Sequence, residues 1–228
     1  MASAAAVPLT SGPGPLDARR WPASSGRATR LAVLLHGYAE TPARWTEFVR
    51  QVAPFVPDME FVAPEAPNPM PNMPHGRHWW DYADRHPGAA EAGVAGAARQ
   101  AAGFIVAELG RTGLPLTACI LCGFSQGAMV ALHAALRLPS DVAGVLSFAG
   151  RLVDRRPDGI SARPPVLLVH GTQDVHVPSE ESAAACRVLR GWGVAAEMRM
   201  LDGLGHAMDD RAIDLGVGFL RDPAKAAS

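Results

Sequence analysis

Residues 121–129, Leu-Cys-Gly-Phe-Ser-Gln-Gly-Ala-Met, constrain this chain more than any other stretch. They hold Gly123-Phe124-Ser125-Gln126-Gly127, a Gly-X-Ser-X-Gly pentad. An apolar, β-prone run (117–124) precedes it and a small-residue run of helical character (126–138) follows. Strand, sharp turn and helix in that order form the context of a nucleophile elbow. There the turn holds the serine in a strained backbone conformation and pushes its hydroxyl out at the end of a strand. Gly123 and Gly127 flank the serine because a Cβ two residues to either side would crowd the turn. The bare pentad also occurs in ordinary loops; the strand before it and the helix after it separate this one from chance.

The segments around the elbow alternate between strand and helix. The continuous apolar run at 31–35 reads as a strand buried on both faces. Thr41 and Pro42 open a helix to about residue 52, with threonine as cap and proline in the first turn. A short strand is expected at 60–63, a helix at 89–109 closed by Gly110 and Gly113, and strands at 142–148 and 165–169. A helix at 179–189 is expected to be capped by Ser179, with Ser182 the weaker candidate. A strand at 195–201 and a closing helix at 207–220 complete the chain. This alternation predicts an α/β protein with a mostly parallel central sheet and helices on both faces.

Residues 1–29 read as a flexible lead-in and edge region, 30–221 as one domain and 222–228 as a tail. Residues 64–88 stand apart: the proline density there predicts neither helix nor strand. The methionines, tryptophans and tyrosine of that segment argue for a functional, lid-like loop.

Composition narrows the function. With 228 residues and a formal net charge of −1, nothing marks the chain for nucleic acid or an anionic membrane surface. No apolar run is long enough to span a bilayer, and the N-terminal residues lack the pattern of a signal peptide. Cys119 and Cys122 form a C-x-x-C spacing, but on a strand they point to opposite faces and are expected to be buried hydrophobes. An odd number of cysteines fits a reducing, cytoplasmic compartment. His75 and His78 invite a metal reading that their proline-broken context disfavours. No metal or cofactor is expected, and the chain is expected to act as a monomer or homodimer.

A serine hydroxyl needs a base, and the base an orienting acid. Elbow proteins carry them in the order Ser, Asp or Glu, His. His206 lies in the glycine-bounded loop Gly203-Leu204-Gly205-His206 between the last strand and last helix, and is assigned as the base. His133 falls about two helical turns beyond Ser125 and reads as structural. Asp174, just past the strand at 165–169, is assigned as the acid. Asp202 is too near His206 in sequence, and Asp209 and Asp210 suit the first turn of the closing helix. Main-chain donors for a developing oxyanion are expected from the N–H of Gln126 and of Tyr38, the latter in the turn His36-Gly37-Tyr38.

With these residues in place, Gly-Phe-Ser-Gln-Gly-Ala-Met, His-Gly-Thr-Gln-Asp-Val-His-Val-Pro and Gly-Leu-Gly-His-Ala-Met-Asp together resemble the phospholipase/carboxylesterase family of α/β-hydrolases, which includes acyl-protein thioesterases. The resemblance covers roughly residues 30–220. It implies the α/β-hydrolase fold, the triad Ser125, Asp174 and His206, and an oxyanion hole from Tyr38 and Gln126. The segment 78–81 is similar to the family's Trp-aromatic-Asp stretch near the acyl pocket. Met73, Trp79, Trp80, Phe124 and Val177 are candidates to line that pocket, although the tryptophans and Met73 equally suit a roof over the core. The family often has His-Gly-Leu-Gly-Asp where this chain has His36-Gly37-Tyr38-Ala39-Glu40, which implies a narrower mouth. The expected activity is a small-substrate carboxylesterase. The alternatives are lysophospholipase or acyl-protein thioesterase, a peptidase of the same fold and, in a different class, a non-catalytic binding protein.

Overall fold

In the computed structural model, which describes residues 16–82, 84, 86–156 and 160–227, seven strands form the central sheet. In chain order the strands are β1 (Ala18–Trp21), β2 (Arg30–Leu35), β3 (Met59–Pro64), the short pair β4 (Asn68–Met70) and β5 (Met73–His78), then β6 (Cys119–Phe124), β7 (Gly144–Phe148), β8 (Val166–Gly171) and β9 (Ala196–Leu201). The helices are α1 (Thr46–Val52), α2 (Ala89–Thr112), α3 (Gln126–Arg137), α4 (Ser179–Gly191), α5 (Asp210–Arg221) and α6 (Pro223–Ala226). The sheet order is β1-β3-β2-β6-β7-β8-β9, antiparallel at the β1–β3 edge and parallel elsewhere. This is the mostly parallel, doubly covered sheet that the alternating segments predict.

Strand residues alternate between two apolar layers. Leu31, Val33, Leu35, Cys119 and Leu121 pack with α2, α3 and α4. Ala32, Leu34, Ile120, Cys122 and Phe124 pack with α1 and α5. Cys119 and Cys122 therefore face opposite sides, and each is wholly buried. Burial pushes the Cys119 thiol up to about 12 and raises that of Cys122 too. Cys186 lies between α4 and β9, its Sγ 3.6 Å from the Ala196 carbonyl oxygen.

The segment 64–88 departs from its reading. It contains the hairpin β4–β5, with Asn68 opposite His78 and Pro69 opposite Arg77. Prolines do not bar these strands because a two-stranded ribbon leaves an outer edge on each, where no N–H is required. Arg77 ties the ribbon to the body of the molecule. Its Nε donates to the Ala66 carbonyl at 2.7 Å and its own N–H to the Glu40 carbonyl at 3.0 Å. Beyond the ribbon, Trp79 and Trp80 turn into the core, and Trp80 rests where a side chain on Gly93 of α2 would otherwise stand.

The expected cap of α4 changes. Pro178, not Ser179, occupies the cap position of α4, with no side-chain cap bond. Ser182 turns inward instead of serving the helix end. Residues 18–21 of the lead-in form the edge strand, held to α2 by the Arg20–Glu108 ion pair at 2.5 Å. Of the expected tail, α6 carries an Asp222 cap and leads to the buried Ala227.

Candidate active site

In a parallel sheet all strands end at one rim, and the crevice outside those ends is where α/β sheets bind ligands. The chemistry-bearing residues of this chain collect there. The described residues with positive φ other than glycine are Ala39 (61°), Ser125 (52°) and Ala149 (50°), which follow β2, β6 and β7. Such conformations are costly for residues with a Cβ and persist only where the surroundings impose them.

At the elbow the surroundings are visible. The Ser125 N–H donates to the Phe148 carbonyl at 2.9 Å, tying the turn to β7. A Cβ on Gly127 would overlap the Leu35 and His36 carbonyls, and one on Gly123 would overlap the Ala128 backbone. The two glycines let α3 start flush against the end of β2 while Ser125, half-buried, stands at the rim. Gln126 is the first residue of α3, so its N–H has no acceptor within the helix and points with the positive end of the helix dipole.

His206 and Asp174 meet as expected. His206 Nδ1 lies 2.7 Å from Asp174 Oδ2. Two loops bring them together. Gln173 N–H donates to the Leu204 carbonyl at 2.8 Å, and Gly203 N–H to Thr172 Oγ1 at 2.9 Å. Gly171 is required where the 202–206 loop crosses, since a Cβ there would strike the Leu204 carbonyl. Asp174 Oδ1 accepts the N–H groups of His176 and Val177, each at 2.9 Å. Burial alone would raise this carboxyl, but His206 and the two N–H groups outweigh it and hold it below the usual carboxylate range. Since a carboxylate only accepts, His206 Nδ1 carries the hydrogen and Nε2 is left as the free base. The His206 ring lies 4.9 Å from that of Phe124, the residue before Ser125, and 5.1 Å from that of His176.

The rejected acids are engaged elsewhere. Asp209 caps α5 by accepting the Ala212 N–H at 3.0 Å, and Asp202 accepts from Thr172 Oγ1 at 3.2 Å. His133 is buried, with Nδ1 on the Met129 carbonyl at 2.7 Å and Nε2 accepting the Asp154 N–H at 3.0 Å.

On the other flank, Tyr38 sits in the turn after β2. Its ring is 5.5 Å from His78 and 6.1 Å from Tyr82, so the 78–82 segment closes over that turn. The turn is built on a residue that the sequence reading passed over. Wholly buried His36 accepts the Ala66 N–H at Nε2 (3.1 Å), so its Nδ1 donates to the Gly37 carbonyl (2.8 Å). Burial, opposed by the Gly37 bond and helped by the charge of Arg77, lowers its pKa to about 4.

The five pocket candidates do not converge. Trp79, Trp80 and Val177 are buried in one core layer and Phe124 in the other. Met73 is 48% exposed and lines an open cleft of about 480 Å³ with Glu40, Arg44 and His75. Arg44 joins that cleft to the elbow, its guanidinium 4.0 Å over the Phe124 ring. Trp79 instead serves as a strut. Its Nε1 donates to the His36 carbonyl at 2.9 Å, and its N–H to Gln126 Oε1 at 2.9 Å. Gln126 Nε2 in turn donates to the Trp80 carbonyl at 2.9 Å. The Gln126 side chain thus latches the elbow to the tryptophan segment, a role that nothing in the local sequence announces.

Among the described residues, no group of three or more His, Cys, Asp or Glu could hold a metal ion, and no helix is long and apolar enough to cross a membrane. Compared with known proteins, residues 22–221 match the phospholipase/carboxylesterase family model. The chain is 27% identical over 194 residues to esterase YpfH of Escherichia coli, covering 85% of this chain and 83% of that one. It is 30% identical over 172 residues to acyl-protein thioesterase 1 of Schizosaccharomyces pombe, covering 71% and 75%. The crystal structure of esterase PE8 superposes with a TM-score of 0.86 at 35% identity, over 91% of this chain and 99% of that one.

Proposed function

The chain belongs to the phospholipase/carboxylesterase family of α/β-hydrolases, which makes it a serine hydrolase of carboxylesterase type, and from that premise we propose that it cleaves carboxylic or thio esters through an acyl-enzyme on Ser125. The observation that carries this reading is the 2.7 Å His206–Asp174 contact, held by stapled loops at the rim where Ser125 stands in its strained turn. His206 Nε2 takes the proton of Ser125 as the hydroxyl attacks the ester carbonyl. The negative charge that develops on the carbonyl oxygen meets the N–H groups of Tyr38 and Gln126. The tetrahedral species collapses when His206 returns the proton to the leaving alcohol or thiol. Water then attacks the acyl-enzyme by the same route, with His206 again the base. Asp174 stays ionised throughout and keeps the imidazole in the required tautomer.

Small acyl groups suit the site best. The two tryptophans and Phe124 are packed into the core, and the aromatic cluster of Tyr38, His78 and Tyr82 crowds the oxyanion turn. Lysophospholipase or acyl-protein thioesterase activity is the alternative. Residues 30–221 act as the catalytic unit, as a monomer or homodimer. Three free cysteines, all buried, fit a reducing, cytoplasmic setting.

A series of p-nitrophenyl esters tests the reading. Turnover is expected to be highest for short acyl chains; a steady rise toward long chains would favour the alternative. Ser125→Ala should lower kcat by about 10⁶ and abolish labelling by a fluorophosphonate. A loss of only a few-fold would place the nucleophile elsewhere.

A further inference from the structure

Asp174 faces a second imidazole. His170, at the end of β8 and wholly enclosed, has its Nε2 3.1 Å from Asp174 Oδ2 and 2.9 Å from the Val177 carbonyl oxygen. Both neighbours only accept, so Nε2 carries a hydrogen and gives it to them. The oxygen concerned is the same Oδ2 that His206 Nδ1 reaches at 2.7 Å, while Oδ1 is occupied by two backbone N–H groups. On its far side, His170 Nδ1 lies 2.6 Å from Ser182 Oγ in the first turn of α4. Ser182 Oγ is also 2.9 Å from the Gly150 carbonyl oxygen, in the loop after β7. That loop begins just beyond Phe148, whose carbonyl holds the Ser125 N–H. Hydrogen bonds therefore link His206, Asp174, His170 and Ser182 in series, and Ser182, with its single hydrogen, also lies against the loop after the strand that anchors the elbow.

We propose that His170 is a positioning residue for the reaction: by donating to Asp174 Oδ2 from the interior, it fixes how the carboxylate faces His206 and how much of its charge His206 receives. The inference rests on the triad reading given above. Ser182 is drawn inward to this contact instead of capping the helix in water. Because two donors share one oxygen, weakening the inner bond strengthens the outer one. Removal of His170 should therefore leave the imidazolium form of His206 better stabilised and harder to deprotonate. The other groups that bear on His206 are His176, from the same loop as Asp174, and Arg44, which stacks on Phe124 from across the rim. Neither shares a hydrogen bond with His170, whose partners are Ser182, Asp174 and Val177.

The test is the pH profile of kcat/KM for a short-chain ester in His170→Leu, His170→Gln and Ser182→Ala. For His170→Leu, kcat is expected to fall about tenfold with KM little changed. The acidic limb should move to higher pH by about half a unit or more. His170→Gln, which restores an N–H donor, should recover part of both. Ser182→Ala, a small change that leaves His170 in place, should shift the limb in the same direction by less, and it decides the matter if His170→Leu does not fold. A limb at the wild-type position in the folded variants overturns the inference, whatever happens to kcat. Ser125→Ala, assayed alongside, separates the two levels. Retained activity there brings down the triad reading and this inference together. Lost activity with unmoved limbs brings down this inference alone.

Discussion

At Gln126 the peptide N–H and the side chain serve different ends. The N–H belongs to the first turn of α3, where only a ligand or solvent can accept from it. The side chain holds the Trp79 N–H and the Trp80 carbonyl, deep in the molecule. Gln126→Ala keeps the proposed oxyanion donor but leaves two buried backbone groups unpaired, at about 1–3 kcal/mol each. The variant should bind a fluorophosphonate and yet unfold at clearly lower denaturant concentration than the parent. An unchanged midpoint would mean that water replaces the amide. The backbone role proposed for Gln126 follows from the motif and is open to sequence reading. The side-chain role depends on a segment more than forty residues away, and no local pattern encodes it.

The strands that matter most for the site were the easiest to read. β2 and β6 are buried on both faces and appear as unbroken apolar runs, so their ends, and with them Ser125, could be placed from sequence. The hairpin β4–β5 was hidden because its prolines mimic a loop, although Pro69 stands opposite Arg77, whose own N–H turns away from the ribbon to Glu40. Whether Trp79 and Trp80 meet substrate or core was equally illegible, since tryptophan suits both and only tertiary packing decides. The hairpin depends on Arg77, whose contacts run to Ala66, Glu40 and Glu65. Arg77→Ala should loosen it without touching the elbow. Limited proteolysis is expected to cut within 68–78 several times faster, with KM for the better esters raised and kcat within about threefold of the parent. Equal cleavage rates would show that the ribbon is held by other contacts.

Across the whole molecule, acid should act first through histidines. His36 and His133 have pKa values lowered by burial from 6.5 to about 4. They stay neutral when folded but take up protons near 6.5 once unfolded. Between those values the unfolded chain binds more protons, so stability is complete above about pH 6.5 and falls as pH drops toward 4. At pH 5 each histidine should cost about 2 kcal/mol. Asp174 and other carboxylates with lowered values lose their stabilising contribution only as the pH falls below the usual carboxylate range. Denaturation midpoints at pH 7 and pH 5 check this, and equal midpoints would refute it.

The buried cysteines give the same molecule a clock. A thiol reagent reacts with the thiolate, and both Cys119 and Cys122 are enclosed within the central strand with their thiolates strongly disfavoured. Their modification has to wait until the sheet parts around β6, which also dismantles the elbow. Cys186 needs only α4 to lift from β9. Two rates of thiol capture on one unmodified chain would thus time two separate events, detachment of an outer helix and rupture of the strand that carries Ser125.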